Sequence, residues 1–292
     1  MSFRSAKLEL QTFVPELNPL QCGMRLNRSY QRLLDLHEWA FLKKEALITT
    51  IPIYSTGTVT STTGSPTVTG SGTAFTVGMI GRYIKMGDQP ESYKITNVVA
   101  QTLTLESNVG VGVAGSGFII YQIYYPKPAD CKFIISVRRQ LSLFEKTHEW
   151  LDSFDPDRDG TGEPIFYANY SDTVLELYPV SDQAYTVRLV YKIIVPDMSA
   201  ETDTPLLSEA LIITHAAKQA YRQLAAGDQG KKYIELYNLA KDDFTEAWRA
   251  AFEADLKKQS TASCVQDNIG AQGVLESDEF WLARDSFWAG LP

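Results

Sequence analysis

Asp155, Asp157 and Asp159 alternate through the string Asp155-Pro156-Asp157-Arg158-Asp159-Gly160. No other part of the chain comes as near to a ligand site by residue type and spacing. Carboxylates at every second position, closed by glycine, wrap oxygens around a calcium ion in loops of the EF-hand type. Such a loop ends on a bidentate glutamate at its twelfth position, which here is Phe166. The alternative is a solvated turn, where Asp and Gly serve backbone geometry alone. The missing glutamate favours the turn.

Three histidines are present, His37, His148 and His215. His37-Glu38-Trp39 and His148-Glu149-Trp150 share a tripeptide, but a zinc protease needs a second histidine one helical turn on, and neither copy has it. His215 lies mid-helix among Ile213, Ala216 and Ala217. Each is expected to pack or cap. Gly110-Val111-Gly112-Val113-Ala114-Gly115 fits the dinucleotide pattern G-x-G-x-x-G, which requires a strand before it and a helix after. The residues that follow, GFIIYQIYY, read as a strand, so the run is expected to be a glycine-rich hairpin. There is no nucleophile elbow, phosphate loop or paired-cysteine motif. The expectation is a protein with no enzymatic activity and no cofactor.

Four large aromatics stand near the end of the chain, Phe280-Trp281 and Phe287-Trp288, repeating at a spacing of seven. Helical geometry would put both pairs on one face. Aromatics of this size are buried somewhere. They fold back on their own domain or anchor in a neighbouring subunit, where such side chains dominate interface energetics.

The elements that would position these residues change character along the chain. Asn18-Pro19-Leu20-Gln21 starts a helix, with Asn18 as cap, Pro19 at the first position and Gln21 closing a capping box. Leu26, Tyr30, Leu33, Leu34, His37, Ala40 and Phe41 form its apolar stripe, and Pro52 ends anything helical. From Ala46 to Gly81, 36 residues pass without a charged side chain or histidine. Thr, Ser, Val and Gly dominate them, a β signal because β-branched side chains suit a pleated surface and glycines supply turns. Strands are predicted at TGTVTST, TVTGSG, GRYIKM, SYKITNV, TLTLES and GFIIYQIYY. LSLFEKTHEWLDSF is a short helix or an extended arm. Val174–Pro179 and Tyr185–Val195 read as two strands joined by a turn at Ser181-Asp182. Thr204-Pro205 opens a helix that Gly227 closes, and Asp228 caps the next, which runs to about Lys258. The stripe of that last helix is Tyr233, Leu236, Tyr237, Ala240, Phe244, Ala247, Trp248 and Phe252.

The fold class expected is α+β: a helical body with a C-terminal antiparallel αα-hairpin, a short β pair and an inserted small all-β domain. Residues 1–52 form the N-terminal helical part, 53–125 the inserted β module, 126–259 the remainder of the body, and 260–292 an extended tail. With 44% hydrophobic and 21% charged residues the composition is globular and excludes wholesale disorder. A net charge of −8 makes the average surface repel nucleic acid. Cys22, Cys131 and Cys264 are too few and too far apart for a disulfide framework or a zinc site, which points to a reducing compartment. No signal peptide or membrane span is read, so a soluble, cytosol-made protein is expected.

That order of elements resembles the head-to-tail adaptor (connector) proteins of tailed bacteriophages. SYQRLLDLHEWAFL, GEPIFYANYSDTVLELYPVSDQAYTVRLVYKI and TDTPLLSEALIITHAAKQAYRQLA carry the likeness, and STGTVTSTTGSPTVTGSGTAFT is similar to β modules that recur in phage structural proteins. The resemblance implies a virion protein forming a ring, usually of twelve subunits, docked below the portal at the neck. The ring contacts other neck or tail proteins, and genomic DNA passes through its channel without sequence-specific binding. Terminal arms of such proteins reach portal or neighbouring subunits, a part that Phe280, Trp281, Phe287 and Trp288 would play. The competing reading is a virion surface module whose β insertion recognises carbohydrate or a host surface, with Tyr83, Tyr93, Tyr121 and Tyr124 as candidate contacts.

Overall fold

A computed structural model describes residues 2–226 and 230–263. It is a mixed α+β structure with five helices and several antiparallel sheets among those residues. The chain divides into two compact units, one from the residues up to Ala40 together with those from Asp197 on, the other Phe41–Pro196.

The first unit is helical. Helix α1 (Phe3–Phe13) is capped by Ser2 and buries Phe3, Ala6 and Leu10. Helix α2 (Pro19–Leu36) starts as its sequence predicts. The Asn18 side chain accepts from the Gln21 amide at 2.9 Å, and the Gln21 side chain accepts from the Asn18 amide at 3.0 Å. Its stripe is cut short, however, because the helix ends at Leu36 and leaves His37, Ala40 and Phe41 beyond it. Tertiary contacts win over the local period there. The buried Asp255 carboxylate accepts from the Ala40 amide at 3.0 Å and meets His37 Nε2 at 3.1 Å, while Trp39, itself buried, donates Nε1–H to the Leu33 carbonyl.

Helix α4 (Glu209–Ala225) begins later than Thr204-Pro205 suggests, since the Leu206 amide is taken by the Tyr30 hydroxyl at 3.0 Å and Leu207 is buried before the helix starts. It packs closely on α5 (Gly230–Ser263), whose expected stripe is buried at Tyr233 and Ala240 and half-buried at Phe244 and Trp248. Gly227 and Asp228, expected to cap these helices, lie outside the described residues.

His215 sits in α4, 3% exposed, with its ring 5.1 Å from Phe244 and its Nδ1 buried without a hydrogen-bond partner among the described residues. Burial, helped by the like charges of Lys218 and Arg32, pushes its pKa from 6.5 down to about 3. The folded state therefore holds the ring neutral where the unfolded chain would bind a proton. This contribution is complete above pH 6.5 and is lost as pH falls from there toward 3, roughly 2 kcal/mol of it by pH 5. Urea unfolding at pH 8 and pH 5 checks it. His215→Leu should remove that share of the pH dependence, and an identical dependence in both proteins would refute the assignment.

The second unit is built from three sheets. Strands β2 (Thr58–Ser61), β3 (Thr67–Ser71), β4 (Tyr83–Met86), β5 (Ser92–Val99), β6 (Thr102–Leu105) and β7 (Phe118–Tyr121) order as β2-β3-β6-β5-β4-β7, all antiparallel. Bridges Tyr54–Ile120 and Val59–Ser116 bring the two ends together, so the sheet closes into a small barrel around Val68, Ile84, Ile95, Leu103 and Ile120. The glycine run leads into β7, a strand, and no helix follows it. Gly112 is required for close approach, since a Cβ there would come within 2.7 Å of the Ser61 carbonyl oxygen. The hydroxyls of Thr60, Ser61 and Thr63 accept from the amides of Gly115, Val113 and Gly112. The uncharged Thr/Ser composition thus satisfies the backbone of the glycine run.

Strand β1 (Lys43–Thr49) pairs with β13 (Thr186–Ile193), which pairs with β9 (Cys131–Arg138). The second sheet orders as β10 (Phe144–Lys146), β11 (Phe166–Asn169), β12 (Val174–Tyr178) and β8 (Tyr124–Pro126). One core, with Tyr125, Val137, Leu143, Leu175, Leu177, Val187 and Leu189, takes side chains from both. Two expectations are corrected here. The segment before Pro52 is strand β1 and not helix. Strands β12 and β13 do not pair with each other: after β12 the chain bridges Val180 to Thr161, and β13 then enters the other sheet between β1 and β9.

Candidate protein-binding surface

The segment LSLFEKTHEWLDSF supplies both β10, an edge strand, and helix α3 (His148–Phe154). Thr147 caps the helix by accepting from the Trp150 amide at 3.2 Å. Past its end the aspartate string closes a tight loop. One Asp155 oxygen accepts from the Asp159 amide at 3.2 Å, and the other accepts from the Gly160 amide and the Tyr178 hydroxyl, each at 2.9 Å. Burial raises the Asp155 pKa, but these donors outweigh it and hold the carboxyl below its usual range. Tyr178 in turn is pushed up to about 12 by burial and by its bond to Asp155. Asp159 pairs with Lys85 of the barrel, and Asp157 lines a neighbouring cleft. Among the described residues no group of three His, Cys, Asp or Glu side chains is placed to hold a metal ion.

Arg158, between those aspartates, is the residue that organises the corner. Its backbone lies in the left-handed region at φ +55°, which turns the side chain inward. Burial works against its charge, yet Glu176 and Asp152 more than compensate and hold the guanidinium protonated. Nε donates to Glu176 Oε1 at 2.9 Å, Nη1 donates to the Leu151 and Asp155 carbonyls, and Nη2 pairs with Asp152. Glu176, on β12, is wholly buried, and its other oxygen meets His148 Nδ1 at 2.6 Å. His148 Nε2 reaches Asp152 at 3.2 Å. Two carboxylates, a guanidinium and an imidazole thus lock α3 and its loop to the sheet. Residue spacing did not reveal this set. The one legible signal was Glu176 itself, a carboxylate inside the apolar strand Val174-Leu175-Glu176-Leu177-Tyr178, which demands a buried partner.

The lock holds up an exposed aromatic surface. Trp150 stacks on Phe154 with centroids 5.0 Å apart and planes 9° from parallel. Trp150 also meets Phe166 at 5.4 Å, and Phe166 meets Phe144 at 6.1 Å. The ammonium of Lys146 lies 4.7 Å over the Trp150 ring. Phe144 is 67% exposed, Phe154 59% and Trp150 37%. Scattered exposed apolar residues are ordinary, whereas a contiguous aromatic group on a rigid frame marks an interaction site. On the other side of α3 a second aromatic group forms, with Tyr124 at 4.5 Å from Tyr170 and 5.9 Å from Tyr83. Burial first, and then Glu176, raise the Tyr124 pKa above that of a free phenol, so the ring stays neutral.

Phe280, Trp281, Phe287 and Trp288 lie outside the described residues. No helix among the described residues is long and apolar enough to cross a membrane. No curated protein matches the sequence. The family model described as SU10 adaptor protein matches residues 89–270, a stretch that holds the α3 corner, the ionic lock, β13, α4 and α5. As that match covers more than half of its residues, the chain belongs to the SU10 adaptor protein family.

Proposed function

We propose that the protein forms a ring at the phage neck, joining the portal to the tail and lining the channel through which DNA passes. The family itself supplies the coarser statement: the protein is a structural adaptor of a phage, resident in the virion and bound to other head or tail proteins, and the family is not an enzymatic one. The finer reading, in which the ring is of about twelve subunits and the portal is the partner, rests on the sequence resemblance. The observation that carries it is the family match across residues 89–270. The exposed Phe144, Trp150 and Phe154 on a braced frame support it, because a connector must present rigid contact surface. The net charge of −8 agrees with a lumen that lets DNA slide.

In this reading α4 and α5 are the antiparallel hairpin of the body, and α5 runs to Ser263, past the boundary at 259 expected from sequence. Residues 1–52 and those from 126 to the end of α5 make up that body, 53–125 are the inserted β module, and the residues after α5 anchor through Phe280, Trp281, Phe287 and Trp288. The cytoplasm of the host is where assembly takes place.

The mass of the purified protein in solution, alone and mixed with portal, tests the proposal. A ring, or a monomer that saturates portal at fixed stoichiometry, is expected. A chain ending at Ser277 should fold normally and dock more weakly. A monomer indifferent to portal would remove the reading and leave the surface-binding module, for which carbohydrate binding by the full chain is then the measurement.

A further inference from the structure

Between barrel strands β4 and β7 and the α3 corner lies a cleft of about 330 Å³, open to solvent. Tyr83 and Tyr121 stack along one wall with centroids 6.0 Å apart, and Tyr124 stands edge-on to Tyr83. His148, Asp152, Asp157 and Glu91 complete the lining. The lining holds three carboxylates, Glu91, Asp152 and Asp157, against one guanidinium, that of Arg158. Arg158 is already committed to Glu176 and Asp152, and Glu176 adds a fourth negative charge behind the wall. Asp157 and Glu91 have no hydrogen bond or ion pair from their side chains among the described residues.

Faces of neutral phenol rings attract cations, and carboxylates beside them add the directional part. An anion is repelled by this lining. A neutral sugar could stack on the rings but would leave the surplus carboxylate charge uncompensated. A planar guanidinium satisfies both sets of groups, since it stacks on a ring and gives paired donors to a carboxylate at once. The volume admits one long side chain and not a folded peptide.

We infer that this cleft receives a guanidinium group, presented by an arginine side chain of another protein. Its walls come from the barrel on one side and the α3 corner on the other, so the occupant ties the two together. This goes beyond the ring and portal reading and does not depend on it.

The full chain labelled with 3-fluorotyrosine tests the inference by fluorine NMR. Tyr83→Phe and Tyr124→Phe assign the two resonances. N-acetyl-arginine amide is then titrated against N-acetyl-citrulline amide, its uncharged isostere. Arginine amide should shift both resonances, with citrulline amide about tenfold weaker or worse. Asp157→Asn should weaken arginine binding several-fold, and Tyr124→Leu about tenfold, while Tyr124→Phe, which keeps the ring face, stays near wild type. An unchanged melting temperature in each variant separates loss of the site from loss of the fold. Equal shifts from both amides would overturn the inference, as would stillness of both resonances. A neutral glycoside moving them where arginine amide does not would overturn it too, and would reassign the cleft to sugar.

Discussion

Arg158→Met lowers the unfolding free energy by about 3–5 kcal/mol, the range expected when one member of a buried ion pair is removed. The reason is Glu176, which has no exposed surface and loses its principal countercharge. His148 remains within 2.6 Å of the other oxygen, but one imidazole does not replace a guanidinium that also holds two carbonyls and Asp152. Methionine keeps the apolar stem of arginine as far as the position of Nε, so the packing of the stem is retained. The left-handed backbone at position 158 carries the same strain with either side chain. Typical domains hold only about 5–15 kcal/mol in total, so the variant should lose a large share of its stability.

The double variant Arg158→Met/Glu176→Leu decides what that loss means. With both charges gone the strand carries an apolar residue between Leu175 and Leu177, and desolvation no longer has to be offset. Most of the lost stability should return, because replacing a whole buried pair by well-packed apolar groups is often neutral or favourable. His148 is partly exposed, so water can take the place of Glu176 at its Nδ1. Calorimetry of wild type, both single variants and the double gives the coupling energy directly. A double variant no more stable than Arg158→Met would show that the cost came from lost packing and not from an orphaned carboxylate.

The elements read correctly from sequence were those set by neighbours along the chain. Asn18 and Gln21 form their capping box three residues apart, and the barrel strands announce themselves through β-branched residues between turn glycines, except that GFIIYQIYY, read as one strand, divides between β7 of the barrel and β8 of another sheet. Lys43–Thr49 went the other way. Lys43-Lys44-Glu45-Ala46-Leu47 is good helix material, yet Lys43 to Thr49 pair residue by residue with Lys192 to Thr186, a partner no local period can reveal. The end of α2 was hidden for the same reason, since Asp255, which draws Ala40 out of the helical path, is 215 positions away. At the α3 corner the aspartate string drew attention for its spacing. The structure gives the central role to Arg158, which the motif treats as a filler position. Phe166, the residue that breaks the calcium pattern, becomes the base on which Trp150 and Phe144 rest.

On the proposal that portal is the partner, Trp150→Ala combined with Phe154→Ala should weaken association with portal by about a hundredfold or more at matched folded fraction. Large aromatics at the centre of an interface commonly contribute 2 kcal/mol or more each on truncation, and each 1.4 kcal/mol is about tenfold. Truncation also costs stability, most of it at Trp150, which is only 37% exposed, whereas Phe154 is 59% exposed. What is lost beyond area is their mutual stack, the contacts of Trp150 with Phe166 and the Lys146 ammonium, and the edge contact of Phe154 with Tyr178. Compared at matched folded fraction, affinity and stability still separate: Arg158→Met moves stability, and the double alanine variant moves affinity. This holds only if the braced aromatic surface is the contact face, which is how it differs from the residues beyond Ser277. Sedimentation of each variant with portal, at matched folded fraction, makes the comparison. Wild-type affinity in the double alanine variant, with loss in the chain ending at Ser277, would assign docking to those last residues. The α3 surface would then be left for contacts between copies in the proposed ring, and the mass of the variant alone would report that as a failure to assemble.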